Sequence, residues 1–178
     1  MQNNANDELI LVDENDQIVG YADKVKTHYE KLRHRAFSLF LFDVKKQTLL
    51  LHQRAEHKYH SGGLWTNSCC SHPRKNETLR EAVVRRCKQE LGVDLAMDQI
   101  HIAGKFTYYA DFGALAEYEI DNVVYAFVDD NIALDVDKDE IADYKWESLT
   151  YIYDDLRQNP SKYSAWFPQA FQLFYEKQ

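Results

Sequence analysis

Short apolar runs broken by acidic or lysine-rich turns dominate the first third of the chain. Leu9 to Val12 and Ile18 to Ala22 flank Asp13-Glu14-Asn15-Asp16, a pattern that predicts a hairpin. Ala36 to Val44 and Thr48 to Arg54 flank Lys45-Lys46-Gln47 and predict a second, well-buried strand pair. From Ala55 to Gly63 the chain is polar and turn-rich, as a loop would be. Apolar spacing then changes from two to four: Leu79, Val83, Cys87 and Leu91 make a helical stripe within Glu77 to Leu91. Asn76 suits the N-cap, Glu77 and Glu81 the first turns, and Gly92 the C-terminal stop. Strands are expected at Ile100 to Tyr109, Glu119 to Val128 and Tyr144 to Glu147. Helices are expected near Leu149 to Arg157 and from Ser161 onward. Strands with interspersed helices, no repeat and no linker predict one α/β (α+β) sandwich domain over residues 1–178.

Composition narrows the class. The 178 residues are 45% hydrophobic and 13% aromatic, enough for a sizeable core. No run approaches the roughly 18 apolar residues of a membrane span, and the polar, acidic start lacks the pattern of a signal peptide. A cytoplasmic protein without membrane attachment is the expectation. Three cysteines give no disulfide framework. The net charge of -8 argues against nucleic acid as a partner, yet leaves room for a local Lys/Arg cluster around a phosphate.

The candidate chemistry lies in Trp65-Thr66-Asn67-Ser68-Cys69-Cys70-Ser71-His72-Pro73 and in Glu117-Tyr118-Glu119. In extended chain alternate side chains share a face, so Cys70 and His72 project together, away from Cys69; Glu117 and Glu119 likewise project together, away from Tyr118. With His28 and His34, these residues offer three nitrogens and two carboxylate oxygens. Such a mixed set suits Mn²⁺, Mg²⁺ or Zn²⁺ in higher coordination better than a structural zinc site rich in cysteine. His52, His57, His60 and His101 are assigned to surface or satisfied core positions.

The helix and its flanks resemble in spacing the Nudix box, a loop-helix-loop whose carboxylates hold divalent ions. Here Arg86 and Gln89 stand at two carboxylate positions, Ser71 replaces the opening glycine, and Glu90 survives. Four stretches then fall in the order found in type I isopentenyl-diphosphate delta-isomerases, which are Nudix-fold enzymes. They are His34-Arg35-Ala36-Phe37-Ser38, the Trp65 to Pro73 run, Arg85-Arg86-Cys87 through Glu90-Leu91-Gly92, and Glu117-Tyr118-Glu119. The chain resembles that family from about Asp7 to Phe174.

The resemblance implies a Nudix-like sandwich of mixed β-sheets flanked by helices. It implies a 1,3-proton transfer that interconverts isopentenyl and dimethylallyl diphosphate through a tertiary carbocation. Cys70 and Glu119 would exchange the protons, assisted by Tyr108. His28, His34, His72, Glu117 and Glu119 would hold a metal (Mn²⁺, Zn²⁺ or Mg²⁺). Lys24, Arg54, Lys58, Ser71 and Arg86 would hold the diphosphate, with Lys26 the near neighbour of Lys24. Glu90 would share a second ion, Mg²⁺, with the substrate. Trp166 would face the cation through its ring, or else pack the C-terminal helices. The expected partner is the small diphosphate substrate and the expected state a monomer, a dimer being the alternative. A Nudix pyrophosphohydrolase and a non-catalytic ligand-binding module are the competing readings.

Overall fold

The computed structural model describes residues 8–58 and 60–178. The polar start, residues 1–7, lies outside the described residues.

The fold is organised by the strand with the densest apolar run. This is β3, His34–Asp43, following β1 (Glu8–Val12), β2 (Ile18–Asp23) and a short helix α1 (Lys24–Tyr29). The later strands are β4 (Thr48–Arg54), β5 (Trp65–Thr66), β6 (Cys69–Ser71), β7 (His101–Asp111), β8 (Ala116–Phe127) and β9 (Ile141–Ser148). β3 pairs parallel with β8 and antiparallel with β1, β4 and β6, while β7 completes a long antiparallel pair with β8. The sheet is therefore mixed.

Helices cover both faces. Phe37, Leu39 and Leu41 of β3 pack against Ala82, Val83, Cys87 and Leu91 of α2 (Leu79–Leu91). On the opposite face Phe40 and Phe42 meet α3 (Leu149–Gln158) and Phe167, Ala170, Phe171 and Phe174 of α4 (Phe167–Tyr175). The five β3 residues named are fully buried, and each such side chain contributes about 1.5–3 kcal/mol. Burial on both faces explains why β3 reads as a continuous apolar run rather than an alternating one.

The N-terminus of α2 differs from the sequence expectation. The cap is Thr78, not Asn76, and the helix starts at Leu79. Glu81 N–H donates to Thr78 Oγ1 at 3.3 Å while Thr78 N–H donates to the Glu81 carboxylate at 2.8 Å. This reciprocal capping box satisfies two donors at once, which a lone Asn does not. Gly92 ends the helix in the left-handed region, φ 71°, where a Cβ would also strike Asp135 at 2.7 Å. At the C-terminus, Pro160–Lys162 is one 3₁₀ turn, and α4 begins only at Phe167 with a proline in its first turn.

Candidate functional site

Strand register carries the reactive side chains to one face. Directly paired residues point the same way. Ser38 pairs with Cys70, His34 with Glu119, Ala36 with Asp121, and Tyr108 with Glu119. Cys69 pairs with Leu39 and so enters the core beneath α2. The Cys70 face is the one that Phe40 and Val123 fill further along the sheet. Where that apolar packing stops, a cavity opens. It is lined by Cys70, Tyr108, Glu117, Glu119 and Trp166, with Lys24, Arg54, Lys58 and Arg86 also on its wall.

The polar run before Cys70 acts as scaffold. Asn67 Nδ2 donates to the Cys69 carbonyl at 2.7 Å and to the Leu39 carbonyl at 3.3 Å. Its Oδ1 accepts from Thr66 Oγ1 at 2.9 Å and Trp166 Nε1 at 3.1 Å. Ser68 Oγ accepts from Leu41 N–H at 2.7 Å and donates to the Leu50 carbonyl at 2.6 Å. Buried polar groups matched in this way fix one geometry. Trp166 is thereby held in the cavity wall with the Arg54 guanidinium 5.2 Å from its ring.

Across the cavity stands the histidine and glutamate cluster. His28 Nδ1 donates to the Lys24 carbonyl at 2.5 Å and His34 Nδ1 to the Leu32 carbonyl at 2.8 Å, which turns both Nε2 atoms inward. His28 Nε2 lies 3.0 Å from Glu117 Oε2, and His34 Nε2 lies 3.7 Å from the same oxygen and 3.4 Å from Glu119 Oε1. His72 Nε2 is 2.8 Å from Glu119 Oε1. One donor atom from each of His28, His34, His72 and Glu117 lies within 4.8 Å of every other, and all four residues are buried. His34 Nε2 and Glu117 Oε2 are buried without a hydrogen-bond partner of good geometry. Inward-turned imidazole nitrogens beside buried carboxylate oxygens are a donor set that fits a divalent metal.

Electrostatics follow from burial and these contacts. Burial pushes Glu117 and Glu119 up, but the surrounding histidines outweigh it and hold both carboxyls below their ordinary range. Burial pushes the Cys70 thiol up to about 12, against the pull of Arg54, so it keeps its proton near neutral pH. Tyr108 is raised by burial and by the charges of Glu119, Glu117 and Asp121. His72 is pulled down by burial.

The remaining expected residues divide. Lys24 lines the cavity, whereas Lys26 points outward toward Glu30. Ser71 is also on the wall. Glu90 is not among the lining residues; its Oε1 accepts from Arg86 Nε at 2.9 Å. Three residues escaped the sequence reading. His60, expected at the surface or in the core, is instead in the site, with Nε2 2.6 Å from Glu117 Oε1. It carries no motif, and only the loop's path brings it there. Glu140 reaches in to pair with Lys58 and, at 3.5 Å, with Arg86. Asp121 accepts from Ser38 Oγ at 2.7 Å beside Glu119, and burial with the Glu119 charge lifts its carboxyl to about 8. Its spacing two residues after Glu119 was the available signal. His52, by contrast, is a satisfied core residue with Nδ1 on the Ser68 carbonyl at 3.1 Å.

Comparison with known proteins identifies the fold and the family. The NUDIX domain family matches residues 32–167. Solved structures similar in fold include a MutT protein from Methanosarcina mazei, with TM-score 0.65 and 21% identity over 82% of this chain and 94% of that one. A MutT NUDIX hydrolase from Burkholderia pseudomallei has TM-score 0.61 and 19% identity over 79% and 97%. Among relatives, isopentenyl-diphosphate Delta-isomerase 2 of Aromatoleum aromaticum is 45% identical over 90% of this chain and 82% of its own length. The protein of the same name from Photorhabdus laumondii is 42% identical over 89% and 87%. The fold and the matched domain define a Nudix protein. Within that class, the chain belongs to the isopentenyl-diphosphate Delta-isomerase family.

Proposed function

We propose that this chain interconverts isopentenyl and dimethylallyl diphosphate by a 1,3-proton transfer. The observation that carries the reading is the placement of Cys70 and Glu119 around one cavity whose wall also holds Lys24, Arg54, Lys58 and Arg86. The reaction adds a proton to the terminal alkene carbon and removes one from the methylene next to the C–O carbon. Cys70 and Glu119 are the two proton-transfer groups. Over a turnover one of them gives its proton to the alkene and the other ends with the proton taken from the methylene, so the pair as a whole neither gains nor loses one. Tyr108, paired opposite Glu119, assists that carboxylate.

The intermediate cation must meet no water. Trp166 is pinned by Asn67 and offers its ring face, a stabiliser that cannot form a lasting bond to the cation. Arg54 and Arg86 bring forked donors to the diphosphate, Lys24 and Lys58 bring point charges, and Ser71 adds a polar contact. His28, His34, His72, Glu117 and Glu119 would hold the divalent ion. A bound ion of this kind, Mn²⁺, Zn²⁺ or Mg²⁺, makes a proton on its carboxylate ligand more acidic. Glu90, which accepts from Arg86 Nε at 2.9 Å beside the cavity, would hold Mg²⁺ together with the diphosphate.

Hydrolysis is disfavoured because Arg86 neutralises Glu90 and Gln89 supplies no charge, which leaves too few carboxylates to activate a water. No helix among the described residues is long and apolar enough to cross a membrane; we place the protein in the cytoplasm, as a single-domain monomer. The test is incubation of the purified chain with isopentenyl diphosphate, Mg²⁺ and Mn²⁺. Dimethylallyl diphosphate is the expected product, and release of inorganic phosphate or pyrophosphate without it would refute the reading.

A further inference from the structure

We infer that His60 is a positioning residue that fixes Glu117 for its metal. This rests on reading the histidine and glutamate cluster as a metal site. The two oxygens of Glu117 have different neighbours. Oε2 faces His28 and His34 at 3.0 and 3.7 Å. Oε1 lies 2.6 Å from His60 Nε2. His60 stands outside the group of donors that lie within 4.8 Å of one another. It therefore acts on the carboxylate from behind, occupying one oxygen and leaving the other to the cluster. A hydrogen bond of this type fixes the carboxylate's rotation and makes it a one-oxygen ligand.

The His60 ring is itself held. It stacks on Phe112 with centroids 4.7 Å apart and planes 16° apart, and meets Trp166 edge-on at 6.0 Å. Its Nδ1 lies 3.2 Å from Ser61 Oγ, so the hydroxyl can donate there and keep the proton on Nε2, toward Glu117. Phe112 belongs to the turn between β7 and β8, while His60 shares the Ala55 to Gly63 loop with Lys58. One imidazole thus ties the loop of a diphosphate-facing lysine, the β7–β8 turn and the aromatic wall to a metal carboxylate. The chemistry required is an N–H donor directed at Glu117 Oε1, which the packing of the ring holds in place.

The experiment compares Mn²⁺ binding by the intact chain, His60→Phe and His60→Gln, using calorimetry and the electron paramagnetic resonance spectrum of bound Mn²⁺. His60→Phe keeps the stack and loses the donor; it should weaken Mn²⁺ about tenfold and alter the spectrum. His60→Gln restores an N–H and should recover most of the affinity. If the Phe variant does not fold, the same contrast is read from His60→Gln against His60→Leu. Equal Mn²⁺ affinity in the intact chain and the donor-less variant would overturn the role of His60 alone. Absence of Mn²⁺ binding by the intact chain would overturn the metal site with it.

Discussion

Two walls of one cavity are built on opposite principles. The Thr66 to Cys69 wall is dense with buried polar atoms, and each polar side chain there has a partner: Asn67 makes four hydrogen bonds and Ser68 Oγ two. The facing wall buries three histidines and two glutamates, yet leaves His34 Nε2 and Glu117 Oε2 without well-formed bonds. Asp121 Oδ1, beside Glu119, is in the same condition. A buried polar atom without a well-formed hydrogen bond costs up to about 1–3 kcal/mol; Glu117 Oε2 recovers part of that from His28 Nε2 at 3.0 Å, so the second wall is less completely compensated than the first. The lesson is that buried polarity alone does not mark a reactive site. The first wall aims Cys70 and Trp166; the second gathers the donor set that we propose holds the divalent ion.

The largest effect expected is on turnover. Cys70→Ala and Glu119→Gln should each lower kcat by at least 10²–10⁴-fold, the range for loss of a proton-transfer group, in an assay of isomer interconversion. Cys69→Ala should keep most activity, because that thiol lies among apolar residues under α2; equal loss in Cys69→Ala and Cys70→Ala would break the assignment of faces.

The next effect is a pH dependence on the satisfied wall. Burial and the charge of Arg54 pull His52 from 6.5 to about 4. The unfolded chain then binds a proton that the folded chain refuses between those values. Stability from this group is present above pH 6.5 and falls as pH drops toward 4, by on the order of 3 kcal/mol at 1.36 kcal/mol per unit. Urea unfolding at pH 6.5 and 4.5 should show a smaller drop in His52→Gln than in the intact chain. Equal drops would remove His52 from the account.

Asn67→Ala sharpens the contrast between walls. It strips partners from Trp166 Nε1 and the Cys69 carbonyl and should cost about 2–3 kcal/mol, with Mn²⁺ affinity little changed. Glu117→Gln should do the reverse, with weakened Mn²⁺ and stability without metal kept or raised. Calorimetric titration and denaturant unfolding on both variants read the two effects apart. The smallest effect, about 1 kcal/mol, is expected for Thr78→Ala; Asn76→Ala should lose no cap.

Much of this was legible in the sequence because it follows from local periodicity. The period-two rule separated Cys70 from Cys69 and joined Glu117 with Glu119, and the apolar run of β3 announced a central strand. The α2 cap was misplaced by two residues because Asn76 is also a good capping residue; what settles the matter is the reciprocal bond to Glu81. The short helix α1 went unread, since six residues carry little periodicity, and its start depends on Asp23 accepting from Lys26 N–H. His60, Glu140 and Asp121 joined the site through loop path and register. No spacing rule brings His60 to Glu117 across 57 positions of sequence; only the folded chain does.

The most direct test is proton exchange in deuterated water. With Mn²⁺ and Mg²⁺ present, the chain should convert isopentenyl diphosphate to dimethylallyl diphosphate and place deuterium in the substrate carbons as it does so, followed by NMR. An intact, metal-loaded chain that leaves the carbon skeleton undeuterated and the double bond in place would contradict the assignment of this cavity to proton transfer.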